Sequence, residues 1–348
     1  MSRIFPVSCR SWRGAPRDER HGNRQAERSS PYNDRMPKTN SDRLVMTSVE
    51  GHPSHATFGQ PFGVGADGVA RCLPGMSGIC FNVKVGDLCF GWEGDHIEPG
   101  VSAVAEQDKR MEGKNRGFHA LACVGNEVRV MTGDAKGAMG VVTGQHGGIE
   151  HVIIDFPDDV LDVLSHEDRL RIKCHGMGLR LTDYPALMCH NLSPAMLERM
   201  NICCDDDEGI TVGVVANIPG FLMGSGIGSI APMTGDYDIM STDPSMVEKY
   251  RLDTLRLGDL VAINNHDNSY GRHYYEGATT IGIITHANSY MAGHGPGVVA
   301  LMTSRLPIIR TEYDPAANIS HYFGIGRARA TASSNGVKSH REPVKAKK

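Results

Sequence analysis

The chain has no apolar run near the roughly 20 residues a membrane-crossing helix needs, and its N-terminus lacks the apolar stretch of a secretory signal. No CxxC pair occurs among its nine cysteines, and their scatter, with Cys203 and Cys204 adjacent, reads as reduced thiols in a cytosolic protein. There is no GxSxG, no P-loop, no HExxH and no GxGxxG with an acid downstream. The run GSGIGSI (224–230) lacks the third glycine and a following helix pattern, which argues against a dinucleotide site. The formal net charge of -4 gives no global pull toward nucleic acid or acidic lipid.

What remains is an ordinary globular composition, 40% hydrophobic and 22% charged over 348 residues, long enough for one large core or two modest ones. Its 41 glycines point to many tight turns between short strands. Residues 1–45 are rich in Arg, Ser, Pro and Asn with almost no aliphatics, so disorder is expected there. Asp18, Glu19 and Glu27 are out of place in a transit peptide, and the expected location is cytoplasmic. A single body is expected over 46–326, then a basic disordered tail over 327–348. Two stretches, VKVGDLCFGWEGDHIEPGV (83–101) and LRLGDLVAINNHD (255–267), share a Gly-Asp turn, an apolar run and an acidic or His-bearing loop. The first carries Asp95, His96 and Glu98 together. Ser193–Pro194 and Asp243–Pro244 each read as an N-cap followed by proline at the first helical position.

Residues 126–144, NEVRVMTGDAKGAMGVVTG, place an alternating strand before a Gly-x-x-Lys-Gly turn and a second strand. The text resembles a KOW motif, one hairpin of a small five-stranded barrel, with EHVIIDF (150–156) and RLRIKC (169–174) able to complete a barrel over about 120–175. No basic–aromatic interleaving surrounds it, so a structural barrel is favoured over an RNA module. Lys136 in the turn and His146 in the GQHGG loop are candidate substrate contacts.

The chemistry-bearing residues concentrate between Thr234 and Val298. If Tyr237 points the other way along a strand, Asp236 and Asp238 share one face, an arrangement that suits a hard cation. His286 closes the apolar strand TTIGIITH, and His294 sits in AGHGPGV, whose glycines and proline forbid a helix or interior strand. These four are the metal candidates, for Zn or Mn. His266 and Asp267 follow the strand LVAI and are candidates for a general base and its orienting partner. Arg272, between two glycines, reads either as a carboxylate clamp or as a partner of Glu276. Asp243 reads as a helix cap.

The phrases CVGNEVRVMTGDAKGAMGVVTGQHGGIEHV, GLRLTDYPALMCHNLSP, GDYDIMSTDP, LGDLVAINNHDNSYGRHYYEGATTIGIITH and AGHGPGV resemble, in order and glycine pattern, a family catalogued as domain of unknown function 4438. The likeness spans about residues 50–310 and implies an α+β fold, predominantly β, with glycine-rich mixed sheets, an SH3-like (KOW-type) barrel segment and few short helices. It brings no activity or catalytic residues with it. The GD-x-D phrase and the His-bearing glycine loops are also similar to the acetamidase/formamidase group of metal-dependent amide hydrolases, which tilts the expectation toward hydrolysis. The resulting expectation is a metal-assisted hydrolase with a small polar or anionic substrate, a homo-oligomer without membrane or nucleic-acid partners. The alternative is a non-catalytic small-molecule or RNA-binding module built on the barrel.

Overall fold

A computed structural model describes residues 36–56, 63–76, 78–107, 113–148, 150–205 and 209–330. The extension up to residue 35 and the tail from 331 lie outside the described residues. The edges of both segments carry structure where composition suggests none. Thr39 bridges to Leu181, and the Asn40 amide donates to the Gly178 carbonyl at 3.0 Å while its oxygen accepts from the Arg180 amide at 2.8 Å. Arg327 donates to Asp87 at 2.7 Å. Polar side chains anchor these segments without any apolar signal in the sequence.

In chain order the strands are β1 (Thr47–Pro53), β2 (Gly63–Val64), β3 (Ala70–Arg71), β4 (Val101–Val104), β5 (Glu127–Val130), β6 (Met139–His146), β7 (His151–Asp155), β8 (Leu170–Cys174), β9 (Met188–Cys189), β10 (Ile202–Asp205), β11 (Gly209–Val214), β12 (Ala216–Pro219), β13 (Tyr237–Asp238), β14 (Leu260–Asp267), β15 (His273–His286), β16 (Gly297–Ser304) and β17 (Ile309–Tyr313). The order β1-β4-β7-β6-β5-β8 closes a barrel. Its inside is filled by alternate residues: Val128 and Val130 from β5, Leu170 and Ile172 from β8, with Glu127 and Arg129 pointing out. The KOW-like text is the β5–β6 hairpin. The barrel has six strands rather than five, because β1 and β4 from upstream close it between β7 and β8.

Beside the barrel, in the same compact unit, is the sheet β12-β14-β15-β16-β13, with β9 added on β16, flanked by a three-stranded sheet β10-β11-β17. Leu260 and Ala262 of β14 pack into one core, and Val261 and Ile263 into another on the opposite face. Burial on both faces explains the continuous apolar run there, since neither side of the strand needs polar residues. Each such aliphatic contributes about 1.5–3 kcal/mol when withdrawn from water.

Barrel and sheet meet at two facing irregularities. β6 slips register between Val142 and Gly144, β15 between Ile284 and His286, and the Thr285 hydroxyl donates to the Gln145 carbonyl at 3.1 Å. Gly144 is required there, since a Cβ on it would stand 1.9 Å from Thr285 Oγ1. The bulges leave His146 and His286 on the two sides of the seam. The similar Gly-Asp phrases turn out to be partners: Gly86 N–H donates to the Leu257 carbonyl and Leu257 N–H to the Asp87 carbonyl, both at 2.8 Å. This pairing carries the following loop, with His96 and Glu98, across to the seam.

Asp243 caps the helix Pro244–Tyr250, accepting from Ser245 N–H at 2.9 Å, and is exposed. Asp243→Ala is therefore expected to cost about 1 kcal/mol in chemical denaturation and to leave metal content untouched. A loss of metal in that variant would return Asp243 to the ligand set.

Candidate metal centre

At the seam, four imidazoles and three carboxylates from five separate segments converge, all but His294 buried. Strand β13 supplies Asp236 and Asp238 at its edge, with Tyr237 turned to the opposite face and buried in the sheet core. β16 holds β13 in register by pairing Tyr237 with Val298 and Asp238 with Gly297. His286 ends β15, His294 lies in the loop before β16, His146 ends β6, and His96 and Glu98 come from the loop before β4.

Two triads of ligating atoms result: His96, Asp238 and His294, then His146, Asp236 and His286, each with its three atoms within 4.8 Å of one another. In the first, His96 Nε2 stands 2.8 Å from His294 Nδ1 and 3.5 Å from Asp238 Oδ2, and His294 Nδ1 is 3.0 Å from that oxygen. In the second, His286 Nε2 lies 2.8 Å from Asp236 Oδ2. The His146 and His286 rings stack with centroids 4.2 Å apart.

Protein groups fix the far side of several of these residues. Glu98 accepts from His146 Nδ1 at 2.6 Å and from His151 Nδ1 at 2.9 Å, and the Ser102 hydroxyl also donates to it. Gly147 N–H donates to Asp236 Oδ1 at 2.6 Å, and Gly295 N–H to Asp238 Oδ2 at 3.2 Å. His286 Nδ1 donates to the Ala287 carbonyl at 2.8 Å. His96 has a positive φ of 52°, a conformation that costs a non-glycine residue about 1 kcal/mol or more. Hydrogen bonds on both sides hold it there: His96 N–H to the Asn288 carbonyl at 3.3 Å and Ala287 N–H to the Ile97 carbonyl at 2.9 Å.

The electrostatics follow from this packing. Burial would raise Asp238, but the His286, His294 and His96 contacts pull its carboxyl far below the usual range. Burial likewise opposes ionised Glu98, and the charges and hydrogen bonds of His151 and His146 hold it well below its ordinary value. His286 shows the reverse sign: burial pushes it down, yet Asp236 and Asp238 more than offset this and raise it well above. The cluster is therefore anionic oxygen facing imidazole nitrogen, away from water. Only His294 is appreciably open, with 27% of its side chain exposed against 4% for His96 and 6% for Asp238.

Of the residues singled out from sequence, Asp236, Asp238, His286, His294 and His146 are brought together. His266 and Asp267 are not among them. A bulge at Asn265 sets His266 beside Tyr237, ring centroids 5.1 Å apart, on the face away from the carboxylates. Burial there pushes the His266 imidazole down to about 4. Asp267 accepts from Arg305 at 2.8 Å and from the Ser269 hydroxyl at 2.6 Å. Arg272 is buried and donates to the carbonyls of Thr234 at 2.9 Å, Gly235 at 2.7 Å and Asp236, with Tyr237 under its guanidinium. It positions the strand that bears the carboxylates; its contacts are backbone carbonyls rather than Glu276. Lys136 is exposed in the β5–β6 turn, at the opposite end of β6 from His146. Residues not assigned from sequence are His96, Glu98 and His151. The DHIE loop between glycines was the available signal for the first two, whereas His151 merely begins a fully buried strand.

Among the described residues every cysteine is free, and no helix is long and apolar enough to cross a membrane. No curated protein matches the chain. The crystal structure of TM1086 is similar at 45% sequence identity and a TM-score of 0.78, covering 82% of this chain and 99% of that one. Residues 62–198 match the family described as Domain of unknown function (DUF4438), N-terminal, and residues 199–323 match its C-terminal counterpart. The seam divides along the same line, with His96, Glu98, His146 and His151 in the first match and Asp236, Asp238, His286 and His294 in the second; the chain belongs to the DUF4438 family.

Proposed function

We propose that the protein is a divalent-metal-dependent enzyme, a hydrolase acting on a small polar or anionic substrate, with an amide or related C–N bond favoured. One observation carries the metal reading: His96 Nε2, His294 Nδ1 and Asp238 Oδ2 lie 2.8–3.5 Å apart. Ligands about 2.0–2.2 Å from a tetrahedral ion stand about 3.3–3.6 Å from each other, and slightly closer around an octahedral one, so small rotamer adjustments suffice. Two nitrogens and one carboxylate oxygen suit Zn or Mn better than Ca or Mg. A bound ion would supply Lewis acidity and bring a coordinated water to a pKa of about 7.

The chain's own groups support the hydrolytic part. Three protein ligands leave a position free, as catalytic rather than structural zinc sites do. The His294 side faces solvent beside a cleft of about 570 Å³ that includes Phe90, Ser241, Glu248, Arg251 and Asn288. Ser241 N–H donates to the His294 carbonyl at 3.2 Å, so the cleft wall is tied to the ligand loop. Charges of both signs and a single aromatic there fit a small polar molecule. His266, on the Tyr237 face, braces β13 from behind.

The test is metal analysis of the purified protein after exhaustive dialysis, followed by reloading with Zn²⁺ or Mn²⁺ and assay against a panel of small amides. Stoichiometric metal with metal-dependent turnover is expected. Because apo His286 holds a raised pKa, loading at neutral pH must expel protons, and affinity should climb as pH rises. Calorimetry in buffers of different ionisation enthalpy reads that release. A protein that takes up neither ion, at any pH where it stays folded, would end the proposal.

A further inference from the structure

We infer that the centre holds two ions, the second in the triad His146, Asp236 and His286, with the Asp238 carboxylate bridging it to the first. The inference rests on the metal reading of the first triad and is independent of the hydrolytic one.

Each residue of the second triad is anchored through one atom and presents the other. A carbonyl oxygen can only accept, so His286 Nδ1, 2.8 Å from the Ala287 carbonyl, carries a proton, and Nε2 is the atom left to ligate a cation in place of its own proton. An ionised carboxylate also only accepts, so Glu98 fixes the proton of His146 on Nδ1 and leaves its Nε2 free. Gly147 N–H occupies Asp236 Oδ1 and leaves Oδ2. All three presented atoms come from buried side chains, and the groups that hold them, the Ala287 carbonyl, the Glu98 carboxylate and the Gly147 N–H, come from three different segments.

The two best-defined of those atoms meet without a hydrogen bond. His286 Nε2 and Asp236 Oδ2 lie 2.8 Å apart, both sealed from solvent, yet neither has a hydrogen-bonding partner. A proton on Nε2 would not point along the line to the oxygen. Two sealed polar atoms left without a hydrogen bond at that distance cost about 1–3 kcal/mol each. A cation that both can ligate removes the conflict, because metal bonding requires approach to one centre rather than alignment with each other.

The orientation of Asp238 supplies the bridge. Its Oδ2 faces His96 at 3.5 Å and His294 at 3.0 Å, whereas Oδ1 faces His286 at 3.7 Å. One carboxylate thus turns an oxygen to each triad. Bridged pairs of this kind sit about 3.5–4 Å apart and can hold both the attacking and the departing oxygen of a displacement. The His96 and His286 rings, one from each triad, have centroids 5.1 Å apart, so the two sites adjoin. Gly297 keeps the space open: a Cβ there would fall 2.1 Å from Asp236 Oδ2 and 2.2 Å from His286 Nε2.

The test uses full-length protein stripped with a chelator and titrated with Mn²⁺ alone. Two ions per chain are expected, with the electron paramagnetic resonance spectrum of a spin-coupled pair. His146→Gln is expected to bind one ion and give the six-line signal of isolated Mn²⁺. Saturation at one ion, two ions without coupling, or a His146→Gln protein that keeps two coupled ions would each overturn the inference. The wild-type count and coupling decide the matter even should the variant misfold. No uptake at all would remove this inference together with the metal reading, whereas a coupled pair without amide turnover upholds the inference and removes only the hydrolase.

Discussion

Asp238→Asn is expected to strip the protein of metal while leaving it folded. Asn keeps the volume of the buried side chain and can still accept the Gly295 N–H, now 3.2 Å from Oδ2. What it loses is the negative charge that faces His96, His286 and His294 at 3.0–3.7 Å. An amide oxygen is a weaker ligand than a carboxylate for a transition ion, and the amide nitrogen presents protons to a cation. Losing only a hydrogen-bonding partner of a ligand costs about 10–100-fold in metal affinity, so loss of the ligand itself should cost at least about 100-fold. Metal content after dialysis, read beside near-ultraviolet circular dichroism, checks both halves. A variant that retains metal at wild-type affinity would show that Asp238 is a neighbour of the centre and not part of it.

Why some of this was legible in the sequence and some was not has physical reasons. Asp236 and Asp238 could be placed on one face because a strand alternates, and Tyr237 does turn into the sheet core. His286 and His294 were legible as a strand end and a glycine-shaped loop, both local properties. The caps Ser193 and Asp243 act as read, with Ser193 Oγ accepting from Met196 N–H at 3.0 Å. β4 left no signal, since VSAV is four residues long and buried throughout, and a short run without alternation has no period. β1 is mostly exposed along its first half and reads as polar. The assembly of His96 and Glu98 with residues some 50 to 200 positions away depends on the pairing of two Gly-Asp phrases, and likeness between phrases does not reveal that they hydrogen-bond to one another. His266 has the same strand-end placement as His286, but one bulged residue, Asn265 with φ 56°, decides which face it joins.

Gly297→Ala should cost the protein its second ion through one methyl group. Gly297 sits on β16 opposite both Asp238 and His286, at the point where the two ligand strands face each other across it. Its φ is not positive, so alanine meets no backbone penalty and the effect is one of space alone. The new Cβ would lie 2.1 Å from Asp236 Oδ2, 2.2 Å from His286 Nε2 and 2.4 Å from His286 Cδ2, all on buried side chains anchored from behind. Those side chains cannot withdraw without breaking the bonds from Gly147 N–H and to the Ala287 carbonyl. Overpacking of this kind costs about 1–3 kcal/mol, and any relief by rotation moves the two ligand atoms apart. The three atoms nearest the methyl all belong to the second triad, so one ion should remain, as the uncoupled Mn²⁺ signal would record. Gly117→Ala is the control, because Gly117 lies within the helix Gly113–Leu121 with nothing within 4 Å of a Cβ. That change should raise stability by about 0.5–1 kcal/mol and leave both ions in place. A Gly297→Ala protein that melts with the wild type and still binds a coupled pair would mean the space between Asp236 and His286 is not where the second ion sits.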